Sequence, residues 1–126
     1  MDQTIHDALD HSQTVDITTT GRRSGEARRI EIVLHSIGGR LVISGMPRPE
    51  TRAWIHNLEA DPRIVVHLKR GLHADLDGTA RVVTDPAERR ELLVDVARAW
   101  NRNDVDLMVE QSPLIEVTIP GYAAAA

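Results

Sequence analysis

Residues 28–44 read Arg28-Arg-Ile-Glu-Ile-Val-Leu-His-Ser-Ile-Gly-Gly-Arg-Leu-Val-Ile-Ser44. Ile30, Ile32 and Leu34 alternate with Glu31 and Val33, the period-two pattern of a strand that buries one face. Gly38-Gly39 falls where a two-residue turn needs positive φ, and Arg40 to Ser44 runs back as a second strand. The segment is therefore an antiparallel hairpin, and the rest of the chain is read outward from it.

On the N-terminal side, Gly21-Arg-Arg-Ser-Gly25 reads as a turn, with glycines at both ends permitting positive φ. Before it, Val15 to Thr20 is β-branched and strand-like, and Gln3 to Gln13 carries Ile5 and Leu9 at helical spacing. On the other side, Gly45 to Glu50 is an irregular loop, because Pro47 and Pro49 block regular structure. A short helix over Thr51–Ala60 follows, with Thr51 as the expected N-cap and Trp54 and Leu58 on one face. Strands are expected over Ile64–Leu68 and Ala74–Val83, joined by a turn at Lys69–Leu72. Asp85, Pro86 and Glu88 then form a helix start of N-cap, N1 and N3 type. That helix runs to about Trp100, with Leu92, Leu93, Val96 and Trp100 as its inner stripe. Residues 101–112 are expected to be partly helical, Leu114–Ile119 to be the last strand, and residues 121–126, ending in Ala123 to Ala126, to fray. Six strands with two or three helices indicate a mainly β (α+β), six-stranded antiparallel barrel decorated by helices.

The 126 residues suit a single domain with an N-terminal helix inside 1–14. There are three aromatic residues and no Phe, so the core is expected to be Val, Ile, Leu and Ala. The absence of cysteine excludes disulfides, iron–sulfur clusters and thiolate zinc sites. No apolar run is long enough to span a bilayer and no leader pattern opens the chain, which makes a cytoplasmic protein the expectation.

Arginine supplies 14 of the 15 basic residues, and they are not evenly placed. Residues 1–20 sum to −4, residues 21–71 to +5 and residues 72–126 to −5, for −4 overall. A basic middle between acidic ends points to a local anion site. Nucleic acid is not the expected partner, since the excess is small and the aromatics that stack bases are missing.

The strongest candidate for that site is Gly21 to Arg29, where Arg22, Arg23, Arg28 and Arg29 surround a glycine-bounded turn bearing Ser24. Such a turn can aim backbone N–H groups, a hydroxyl and guanidinium forks at one oxyanion; its alternative is a solvated hairpin. It is not a P-loop, as it lacks Gly-Lys-Ser/Thr and a following helix. The second candidate is the loop from Ser44 to Thr51 with the helix it feeds, where Trp54 and Asn57 could offer a ring edge and an amide to a planar ligand. The alternative there is a core tryptophan.

The histidines, at 6, 11, 35, 56, 67 and 73, form no HxH or HExxH spacing, and no metal is expected. Most stand beside solvent-facing residues, although His35 and His67 could meet across a barrel. Asp75 and Asp77 share a strand face that is expected to be solvent. There is no nucleophile elbow and no acid–base pair, so no catalytic side chain is expected and any chemistry should belong to a bound cofactor.

Two stretches together carry a family resemblance. Thr18-Thr-Thr-Gly-Arg-Arg-Ser-Gly25 with Arg28, then Ser44, then Ala53-Trp-Ile-His-Asn-Leu-Glu-Ala-Asp-Pro62 before a Val-rich strand, resembles the deazaflavin-dependent nitroreductase and quinone reductase family. The match spans roughly residues 15–83. It implies a split β-barrel of the FMN-binding, pyridoxamine-phosphate-oxidase-like type and a bound deazaflavin, coenzyme F420. It also implies hydride transfer to a small conjugated acceptor: a quinone, a nitro compound or an enone. On this resemblance Arg23, Ser24 and Arg28 would hold the phosphate or the oligoglutamate tail. Ser44 and Arg48 would contact phosphate and ring edge, and Trp54 and Asn57 would line the deazaflavin pocket. Glu31 and Val33 would border the substrate. Related barrels are often homodimers. Alternatives on the same barrel are an FMN-dependent reductase or a non-enzymatic carrier of a cofactor, haem or lipid. The sequence departs from the family at Glu31, often proline there, and in lacking tyrosines between Asn101 and Glu110.

Overall fold

A computed structural model of the protein describes residues 1–122. Its elements are α1 (Gln3–Leu9), β1 (Gln13–Thr20), β2 (Ala27–Ile37), β3 (Arg40–Ser44), α2 (Ala53–Ala60), β4 (Arg63–Leu68), β5 (Ala74–Val82), α3 (Pro86–Ala99), α4 (Val105–Gln111) and β6 (Leu114–Thr118). The six strands close into one antiparallel barrel in the order β1-β2-β3-β6-β5-β4. The expected frayed residues Ala123 to Ala126 lie outside the described residues.

The barrel interior is filled by the alternate positions of each strand, including Val15, Ile17, Leu34, Leu41, Ile43, Ile64, Val66 and Ile115. A second cluster lies outside the barrel wall, where Val42 and Leu114 meet Leu92, Leu93, Val96 and Met108 of α3 and α4. Met108 is fully buried, so the core is not confined to Val, Ile, Leu and Ala.

The 38–39 turn is as the sequence implies, with Gly38 and Gly39 at φ 55° and 80°. The 21–25 turn is built differently from the expectation. Only Gly25 has positive φ, at 69°. Gly21 is needed for space instead: a Cβ there would lie 2.7 Å from Ser24 Oγ.

Other differences are local. α1 stops at Leu9, because Gln13 already pairs with Leu34 at the start of β1. Thr51 does not cap α2; Arg52 occupies the N-cap position without a side-chain cap, and its guanidinium reaches back to the Met46 carbonyl at 2.6 Å. Trp100 is the C-cap of α3 and only half-buried, its ring meeting His35 edge-on at 5.1 Å between centroids. The α3 start keeps its cap, Asp85 accepting from the Glu88 N–H at 2.9 Å. Glu88 itself turns away from the helix start and binds Arg81 at 2.8 Å and 2.9 Å and Arg40 at 2.9 Å. Both arginines also reach Glu116, at 2.8 Å and 2.6 Å, so four charges lock α3 onto β3, β5 and β6.

Candidate functional site

Helix α2 organises the basic residues. At its C-terminal half, Asn57 is 8 % exposed and its side-chain oxygen accepts the Arg22 N–H at 3.1 Å. Its amide nitrogen reaches the buried Thr19 hydroxyl at 3.4 Å. Asn57 therefore ties the arginine turn to the helix. The turn also closes on itself, through Gly21 N–H to Glu26 O at 2.7 Å and Gly25 N–H to Gly21 O at 2.9 Å. Ser24 Oγ accepts the Glu26 N–H at 3.1 Å. Arg22 and Arg23 are exposed and have no ion pair among the described residues, whereas Arg28 meets Glu26 at 3.4 Å in an exposed, weak pair.

At the other end of α2, Arg48 and Arg52 border a cleft of about 340 Å³ between the 48–52 loop, the end of β5 and the 110–114 segment. Neither has a carboxylate partner within ion-pair distance among the described residues, although Glu50, Glu59 and Glu110 border the same cleft. Burial, and secondarily the Arg48 charge, lower the pKa of Arg52. Two guanidinium groups beside one cleft, neither held by a carboxylate among the described residues, are a receptive site for an anion.

The back of this cleft is held by Arg89, which no motif or spacing in the chain singles out. Its guanidinium donates to the carbonyls of Val109 (2.8 Å), Val83 (3.0 Å), Met108 (3.2 Å) and Ser112 (2.6 Å). It caps the C-terminus of α4 and joins it to Val83, the residue that follows β5. Ser44 is buried, and its hydroxyl donates to the Pro113 carbonyl at 2.7 Å, pinning the end of β3 to the start of β6. Trp54 is half-buried against the barrel core, at the α2 face three residues before Asn57.

The structure thus places Trp54 and Asn57 on one helix and ties the turn bearing Arg23 and Ser24 to it through the Arg22 N–H, with Ser44 and Arg48 before its start, while Arg28 stands at the beginning of β2 against Glu26. Glu31 and Val33 stand apart on β2 and do not border the cleft. Glu31 is bonded to Lys69, which also holds Asp16 at 2.7 Å. Arg52 was missed because its role depends on the loop folding back, which helical spacing does not encode.

The two histidines that could meet across the barrel are both buried. His35 and His67 are 2 % and 8 % exposed, and they do not meet. His35 packs with Trp100, and burial pushes its pKa down. His67 instead bonds Thr18 and Asp75, each at 2.7 Å.

Among solved structures, a conserved hypothetical protein of Mycobacterium tuberculosis is similar at 20 % identity and a TM-score of 0.76, over 95 % of this chain and 81 % of that one. An F420-H2-dependent reductase is similar at 22 % identity and a TM-score of 0.63, over 83 % of this chain and 93 % of its own. A putative pyridoxamine 5′-phosphate oxidase of Listeria innocua shares the barrel at 12 % identity and a TM-score of 0.66, covering 94 % of this chain and 92 % of that one. At these identities the likeness establishes the fold, a split β-barrel of the pyridoxamine-phosphate-oxidase type. Residues 2–119 match the family described as F420H(2)-dependent quinone reductase. The chain therefore belongs to the F420H2-dependent quinone reductase family and is an oxidoreductase that uses the deazaflavin F420.

Proposed function

We propose that the anionic part of F420 lies along α2, between the Arg48–Arg52 pair and the Arg22–Arg23 turn, and that the protein reduces a small conjugated acceptor of the quinone type. The observation that carries this reading is the Arg48–Arg52 pair, two neighbouring cations beside an open cleft without a carboxylate bound to either. Its donor chemistry suits a phosphate or a glutamate carboxylate, the groups of the cofactor's tail.

When bound, reduced F420 supplies a hydride. The protein's share is placement. Arg48 and Arg52 would bind anionic oxygens at one end, and Arg23, Ser24 and Arg28 at the other. Trp54 would offer an apolar surface between them. Asn57 and Ser44, whose polar atoms already bind protein groups, act by positioning the turn and the end of β3. No helix among the described residues is long and apolar enough to cross a membrane.

The test is titration of F420 into the protein, followed by cofactor fluorescence, with FMN and haem as competitors. Arg52→Ala should weaken F420 binding about tenfold, which is about 1.4 kcal/mol, and the loss should grow at low salt. Preference for FMN or haem, or an Arg52→Ala affinity equal to that of the parent, would overturn the placement. Oxidation of reduced F420 by a benzoquinone, compared with a nitroarene and an enone, then assigns the acceptor class.

A further inference from the structure

The outer face of the barrel carries a hydrogen-bonded chain that the reductase reading does not use. β4 lies between β1 and β5, and its register sets His67 opposite both Asp16 and Asp75. Thr18 stands two residues beyond Asp16 on the same face of β1. His67 Nδ1 is 2.7 Å from Asp75 Oδ1, and His67 Nε2 is 2.7 Å from Thr18 Oγ1. A carboxylate can only accept, so with Asp75 ionised Nδ1 carries the hydrogen. In the neutral ring Nε2 is then the acceptor, and the Thr18 hydroxyl donates to it. Hydroxyl, base and orienting carboxylate stand in the order that activates a nucleophile.

The surroundings support that order. His67 is 8 % exposed, which shields the Thr18–His67 bond from competing water. Asp16, the other carboxylate opposite His67, is held by Lys69 at 2.7 Å and Arg29 at 3.0 Å. Thr18 lines an open cleft of about 400 Å³ together with Thr20, Val65, Asp77 and Arg63. Arg63 binds Asp61 through Nε and Nη2, leaving Nη1 hydrogens for another acceptor.

We propose that Thr18 is a base-activated nucleophile that takes the acyl group of small activated esters, giving the protein an esterase activity independent of its cofactor. Thr18 Oγ1 bonds to the ester carbonyl carbon while its proton passes to His67 Nε2. The ester C–O bond breaks, and the leaving alkoxide takes that proton from His67. A water deprotonated by His67 then cleaves the acyl-threonine and restores the hydroxyl, so that ester and water become acid and alcohol.

The probe is p-nitrophenyl acetate, offered to the full chain without F420. Release of p-nitrophenol should exceed the buffer rate, and peptide mapping by mass spectrometry should find the acetyl group on Thr18. Thr18→Val and His67→Ala should each lose about a hundredfold or more, the lower end of general-base contributions of about 10²–10⁴, while Thr18→Ser retains turnover. Acetylation confined to Lys69 or the N-terminal amine, hydrolysis no faster than buffer, or a His67→Ala variant as fast as the parent would overturn the proposal. The mapping uses the parent protein, so it decides even if a variant folds poorly. F420 affinity, measured separately, is unaffected by either result.

Discussion

Replacing Asn57 by alanine tests how the fold presets the arginine turn. The side chain makes a 3.1 Å bond to the Arg22 N–H and a 3.4 Å contact with the Thr19 hydroxyl. The second is too long to contribute much, and Arg22 is exposed, so its freed N–H can find water. The loss should therefore be about 1–2 kcal/mol, one well-made bond plus the partial orphaning of a buried hydroxyl. For a chain of 126 residues, an unfolding entropy of about 0.26 kcal/mol/K turns this into a fall in Tm of roughly 4–8 °C. Because the turn would then have to be ordered on binding, F420 affinity should also fall, by about tenfold at most. Differential scanning calorimetry and fluorescence titration read the two effects. Thr19→Val, which removes only the long contact, should shift Tm by less than about 2 °C. An Asn57→Ala protein that melts with the parent, or one that melts lower yet binds F420 equally well, would refute the idea that this tether presets the site.

Three further outcomes are expected. Arg89→Met strips the guanidinium from the carbonyls of Val83, Val109 and Ser112, while Met108 O keeps its bond from the Ser112 N–H; a loss of about 3 kcal/mol in urea unfolding is expected, and Arg89→Lys should not restore it. Glu88 is held at about 2, first by Arg81 and then by Arg40, against an ordinary 4.5. A depressed carboxyl stabilises the folded state fully above the ordinary value and loses that contribution as pH falls toward the depressed one, so Glu88→Gln should flatten the acid side of the Tm–pH curve between about 4.5 and about 2. Asp85→Ala removes the α3 cap and should cost about 1 kcal/mol, read from the chemical denaturation midpoint.

The hairpin at 28–44 and the α3 start were legible because each is set by neighbours in sequence, through alternation, Gly-Gly and Asp-Pro. The barrel's strand count and class followed from the same patterns. What was not legible depends on distant pieces of chain. Helical spacing puts Asn57 on a face with Trp54 and suggests a ligand contact; only the packing of β1 against α2 shows that its side chain also holds the Arg22 N–H. Gly21 looked like a φ requirement, and the constraint proved to be the Ser24 hydroxyl folding back over it. Glu88 fitted a capping box, but two arginines from other strands compete for its carboxylate and are better partners than one N–H. Arg52 and Arg89 carry no local signal, since their neighbours are brought to them by the loop and by α4.

Closure of the barrel has a consequence for how the molecule meets others of its kind. Every strand among the described residues has a neighbour on both sides, but not along its whole length: β2 pairs with β3 only over residues 34–37 and β5 with β6 only over residues 79–82, so residues 27–33 and 74–78 each keep one edge without a ladder partner. Copies of the protein that join by extending the sheet would do so at these two segments; elsewhere the seams are occupied, and contact there has to form through side chains on the barrel wall, the helices or the loops. Both seams of β6 rest on four residue pairs each, against eight between β1 and β2, so release of β6 would lengthen the open edges of β3 and β5, and conditions that cause it should be those in which the protein begins to aggregate.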